Sequence, residues 1–178
     1  MGSSFQVVAF PSVSAADARE LGDVLLDALV EGEVVRPVSR GGALGHPPGR
    51  RAHEHTEPGF EYTRGLVNDG VVVETGRTVF DAGQHGLVVR CRACEHEHEP
   101  GVAFMRGVQR WAEGEDDVSY ACPKCGHAER LVRWDGPTAW AFAHLGLKFW
   151  NWPTLLPELV TSLEARIGHR ARIVRGRL

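Results

Sequence analysis

Two periods of apolar residues run along this chain. FQVVAF, residues 5 to 10, is a continuous apolar run with β-branched members, the pattern of a buried strand, and Pro11 ends it. Leu21, Leu25, Ala28 and Leu29 then recur at helical spacing, with Glu20, Asp23, Asp27 and Glu31 on the opposite face. Ser14 and Asp17 form an approximate capping box ahead of that helix, and Gly32 ends it. VVRPV, residues 34 to 38, predicts a second strand, which Pro37 confines to a sheet edge.

The C-terminal end repeats this order. LKFWNW, residues 147 to 152, predicts a strand. Alternation puts Leu147, Phe149 and Asn151 on one face and Lys148, Trp150 and Trp152 on the other. Both faces are bulky, so both should be covered. Thr154 is the expected cap of a helix with Pro157 in its first turn. Leu156, Leu159, Val160, Leu163 and Ile167 form its apolar stripe, and Gly168 ends it. ARIVRGRL predicts the last strand. A β-α-β unit at each end implies an α+β fold over residues 1–178, as a single domain. The expected frame is a ferredoxin-like split βαβ layer, with two helices on one face of an antiparallel sheet. A generic α+β sandwich is the alternative.

Residues 36–65 lie between the two ends and hold six glycines and four prolines without apolar period. Such a segment reads as a loop that is mobile and cleaved first near Arg40, Arg50 or Arg51. VVVETGRTVF, residues 71 to 80, predicts a hairpin around Thr75, Gly76 and Arg77.

Candidate chemistry concentrates further on. Cys91 and Cys94 are followed, after 27 residues, by Cys122 and Cys125. Two thiolates separated by two residues can chelate one ion when the backbone makes a tight knuckle, and two such pairs complete a tetrahedron. CPKCGH has the residues for that knuckle, with Pro123 presetting the turn and Gly126 permitting the left-handed conformation after it. CRACEH is a looser copy, with Glu95 at the glycine position. GLVVRC, VSYAC and ERLVRW predict flanking strands, and Phe104, Val108 and Trp111 share a face that suits a short helix in the gap. Residues 86–135 therefore resemble the zinc ribbons, an inserted β module whose likeness implies structural Zn2+ on Cys91, Cys94, Cys122 and Cys125. Ribbons serve nucleic-acid, protein and purely structural roles alike, so this likeness implies no activity. FWNWP followed by a helix resembles small bacterial proteins of unassigned function, which adds none.

His53, His55, His96 and His98 are candidates for a second, open metal site, with Glu54 or Glu97 as base. This is the enzymatic alternative. The sequence has no HExxH, GxSxG or phosphate-binding glycine loop to support it. His127, next to the second knuckle, is placed to hydrogen-bond near the thiolates.

Charge adjusts the choice of partner. The formal net charge is −3. Four thiolates subtract four charges and one zinc dication returns two, leaving −5. That disfavours general nucleic-acid binding, which relies on a basic excess. Trp140, Phe142, Phe149, Trp150 and Trp152 could form a base-stacking platform, but with only Lys148 beside them they read as core. A partner protein is the expected ligand. Arg50, Arg51, Arg170, Arg172, Arg175 and Arg177 are the candidate contacts, because arginine suits bidentate recognition of carboxylate or phosphate. No apolar run approaches membrane-spanning length, and MGSSFQVVAF lacks a basic segment typical of a signal peptide, so the cytoplasm is the expected compartment.

Overall fold

The structure, a computed structural model, describes residues 3–38, 45–59, 68–83 and 86–178. The elements, in chain order, are β1 (Ser4–Ala9), α1 (Ala18–Glu31), β2 (Gly70–Phe80), β3 (Val89–Arg90) and β4 (Glu97–His98). They continue with α2 (Val102–Ala112), β5 (Ser119–Ala121), β6 (Ala128–Arg130), β7 (Ala141–Trp150), α3 (Pro157–Ile167) and β8 (Arg172–Arg177). The fold is mixed α+β. Among the described residues, its main sheet has four strands in the order β2-β7-β1-β8, and every neighbouring pair is antiparallel.

The apolar periods of the sequence account for the main core. Leu25 and Leu29 of α1 and Leu159 and Leu163 of α3 are buried with Val8, Leu145, Leu147 and Phe149 of the sheet. Phe5, Val7, Ala9, Phe80, Ala143 and Val174 form a second cluster, with Trp150 packed against it. A third cluster holds Cys91, Phe104, Trp111, Cys122, Leu131, Trp134, Trp140 and Phe142. Trp140 and Phe142 tie this last cluster to β7, so the cysteine segment packs on the sheet rather than standing apart.

Several expectations need correction. The expected hairpin at residues 71 to 80 is one strand. β2 pairs with β7 from Gly70 opposite Trp150 to Phe80 opposite Ala141, and its register shifts between Thr75 and Thr78. Residues that read as a turn are a bulge, because β7 is long enough to pair with both halves. VVRPV forms no regular strand; Val35 makes an isolated bridge to Pro48. Thr154 does not cap α3: Leu156 holds that position without a side-chain cap, and Pro157 begins the helix. Ser14 and Asp17 do bond reciprocally, at 2.7 and 3.2 Å, but in a turn ahead of the first helical residue, Ala18.

Trp152 also departs from the expected alternation. Asn151 has a φ of 55°, which breaks the strand period. Trp152 consequently turns to the helix side and meets Phe149 edge-on at 5.1 Å. Trp140, Phe142, Phe149 and Trp152 are all buried, and core residues of this kind present no face for a base.

Within the expected loop, residues 45–59 are held by backbone hydrogen bonds. His46 and Val71 exchange backbone hydrogen bonds at 2.8 Å. Gly49 N donates to Val34 O at 2.8 Å and Arg51 N to Glu33 O at 3.0 Å. Ala52 is buried in the main core. A search for side-chain periodicity misses such a segment because its backbone holds it. Arg50 and Arg51 lie in this anchored part, while Arg40 falls outside the described residues.

Candidate metal centre

Each cysteine pair sits on a turn between two short strands. β3 leads into Cys91 and β4 follows Cys94, and the two strands pair through Val89–His98 and Arg90–Glu97. β5 and β6 flank Cys122 and Cys125 in the same way. The two turns share one hydrogen-bond pattern. Cys91 N donates to His96 O at 3.0 Å, and Cys122 N donates to His127 O at 2.8 Å. Glu95 N donates to Cys91 O at 2.8 Å, and Gly126 N donates to Cys122 O at 2.9 Å. The residue closing each turn is left-handed, Glu95 at φ 56° and Gly126 at 75°. Glycine reaches that conformation without a Cβ penalty, and Glu95 does not.

The four sulfurs converge. Cys91 Sγ lies 3.7 Å from Cys125 Sγ, and Cys94 Sγ lies 3.8 Å from Cys122 Sγ. All four lie within 4.8 Å of one another. These separations far exceed a disulfide bond of about 2.05 Å. They span the space around a single ion, so the cluster can hold a metal. Cys91 and Cys122 are buried, Cys94 is half-buried and Cys125 is exposed. The centre therefore sits at the edge of its module, backed by Phe104, Trp111, Trp134 and Trp140.

Thiol ionisation points the same way. The His96 N–H favours the Cys94 thiolate, but burial and the three other sulfurs outweigh it and push the thiol up to about 12. Burial opposes ionisation of Cys122, but the N–H groups of Cys125 and Lys124 and the neighbouring sulfurs bring it down to about 7. Four sulfurs this close cannot all carry charge unless a cation lies among them.

Comparisons with family models, with curated proteins and with solved structures found no match. The site is therefore understood from its own geometry.

The candidate histidines are not gathered into a second centre. His53 and His55 lie on a single 3-10 turn, Ala52–His55, where Glu54 pairs with Arg51 at 2.8 Å. His96 and His98 stack in parallel at 5.3 Å, and His98 Nε2 meets the Tyr120 hydroxyl at 3.1 Å. Among the described residues, the four cysteines are the one group of three or more candidate ligands within ligating distance. His127 acts through its backbone carbonyl, while its side chain is exposed.

The candidate arginines divide. Arg50 pairs with Glu33 at 2.5 Å, Arg51 with Glu54, and Arg170 with Glu164 at 3.1 Å. Arg172 pairs with Asp135, beyond the second knuckle. Arg175 and Arg177 are exposed, and neither has a carboxylate partner among the described residues.

Two residues that tie the centre to the sheet carried no sequence signal. Arg77, placed by the β2 bulge, reaches Trp111 O, Glu115 O and the Asp116 carboxylate. Asp135 accepts from Arg172, and its carbonyl accepts from Arg90 N at 2.6 Å. A bulge can be suspected from glycine inside a strand pattern, but the reach of the next arginine cannot.

Proposed function

We propose that this chain is a non-catalytic binding protein: a ferredoxin-like, split βαβ frame carrying a zinc ribbon at residues 86–135 between β2 and β7. The frame reading is supported by the strand order β2-β7-β1-β8, with α1 and α3 buried together against the sheet. The ribbon reading is supported by the two matching cysteine turns, each between paired short strands.

One observation carries the metal assignment. A tetrahedral zinc with sulfur bonds of about 2.3 Å has sulfur–sulfur edges of about 3.8 Å. The edges Cys91–Cys125 and Cys94–Cys122 measure 3.7 and 3.8 Å. Four thiolates fill a tetrahedral zinc, so no position remains for water, and the ion would serve folding.

The function then rests on a contact surface. A partner protein is the proposed ligand, met through the exposed arginines at the end of the chain, and the cytoplasm is the proposed compartment. The negative net charge and the buried aromatics argue against nucleic acid. Among the described residues, no helix is long and apolar enough to cross a membrane. Elemental analysis with thiol titration tests the proposal. One zinc per chain, with four thiols that react only after chelation, is expected. A folded, metal-free chain with four reactive thiols would overturn it, and a second ion per chain would favour the enzymatic alternative.

A further inference from the structure

We infer that the cleft between β1, β8 and the segment leading into α3 binds a small carboxylate or phosphate anion through Arg175 and Arg177. The inference goes beyond the proposed protein contact: it gives the same terminal arginines a small-molecule ligand. The cleft is open to solvent, with a volume of about 370 Å³. Phe5 and Trp152, both largely buried, border the cleft, and Gln6, Thr154, Arg175 and Arg177 supply the polar groups. None of these residues belongs to the cysteine cluster.

The sheet register assembles the polar side. Gln6 is opposite Arg175, and Ser4 is opposite Arg177, so these side chains share one face. Gln6 is only 5% exposed. Its amide nitrogen donates to Trp152 O at 3.2 Å and Pro153 O at 2.7 Å. Its amide oxygen accepts from Leu155 N at 3.1 Å and from Arg175 Nε at 3.3 Å. A buried, fully engaged glutamine thus holds the guanidinium of Arg175 by one edge. The terminal nitrogens of Arg175 face no described carboxylate, and Arg177 has no described side-chain partner. Two guanidiniums at one cleft, without a carboxylate partner among the described residues and one of them held in place, match the planar, bidentate chemistry of a carboxylate or phosphate.

The probes are inorganic phosphate and benzoate, titrated into the zinc-loaded full chain at constant ionic strength and followed by amide NMR. Saturable shifts confined to the Gln6 side-chain amide, Thr154 and residues 175 to 177 are expected from at least one probe. The tighter probe assigns phosphate or carboxylate. Arg175→Gln and Arg177→Gln should each weaken binding about tenfold, the scale of losing one charged hydrogen-bonding partner. Arg170→Gln, outside the cleft, should leave it unchanged. Absence of saturable shifts with both probes, or equal binding by the folded Arg175→Gln and Arg177→Gln variants, would overturn the inference. Metal content is read on the same samples, so a failed zinc assignment and a failed cleft give different results.

Discussion

The guanidinium of Arg77 lies 4.3 Å from the centre of the Trp111 ring. It also donates to the Trp111 carbonyl and bonds Asp116 at 2.7 Å, with its side chain 17% exposed. A bulge in the sheet thereby grips the C-terminal end of α2. Arg77→Ala removes a cation–π contact and several charge-assisted hydrogen bonds, and should cost about 2–3 kcal/mol. Arg77→Lys keeps the charge without the fork and should recover less than half of this loss. Urea unfolding of the zinc-loaded chain reads both; a loss under about 0.5 kcal/mol would dissociate Arg77 from the coupling.

The two knuckles offer a matched pair of substitutions. A Cβ built at Gly126 meets no atom within 4 Å, so Gly126→Ala tests the backbone conformation alone. It should destabilise the zinc-loaded chain by about 1 kcal/mol, the cost of a left-handed alanine. Glu95→Gly should relieve the strain at φ 56°, offset partly by the freer unfolded chain, for a gain of about 0.5 kcal/mol. Opposite signs at the two positions are the expected outcome in thermal or urea unfolding.

The sequence displayed what depends on local pattern. The stripes of α1 and α3, the strands β1 and β8 and the cysteine spacing all follow from periodicity or from the needs of chelation. What it concealed depends on partners far along the chain. Thr75-Gly76-Arg77 reads alike as a turn or a bulge until β7 is known to run past it. Trp152 seemed to continue an alternation that Asn151 interrupts, and Asn151 is held by Ser4, whose N–H donates to its side chain at 2.9 Å. Residues 45–59 looked free because their anchors are backbone groups, which leave no residue-type signature.

Metal removal should act unevenly. Cys91 and Cys122 belong to the cluster of Trp111, Trp134 and Trp140, whereas the cluster under α1 and α3 contains no cysteine. Chelation should therefore abolish hydrogen-exchange protection in α2, β5 and β6 while β1, β8 and α3 keep theirs. Equal loss everywhere would mean that the two cores fold as one unit.

His144 should make stability depend on pH. Burial lowers its pKa, and the charge of Arg77 lowers it further against an opposing pull from Asp116. Its Nδ1 is buried without a hydrogen-bond partner. The folded pKa lies below the unfolded value of about 6.5, so the unfolded chain takes up the proton first as pH falls. The contribution is present above about pH 6.5 and is lost as pH falls through the folded value. His55 is shifted the same way, chiefly by burial. Unfolding free energy should decline from about pH 7.5 to about pH 5.5, with zinc content verified at each point. His144→Gln should flatten that decline, with the remainder removed by His55→Gln; an unchanged slope in the double variant would exclude both histidines.

X-ray absorption at the zinc edge of the native chain examines the closed, structural centre most directly. The expected first shell is four sulfurs at about 2.3 Å, with no nitrogen or oxygen. A mixed shell containing histidine nitrogen or solvent oxygen would contradict it, because an open or shared position would make the centre a site of chemistry rather than a fastening of the fold.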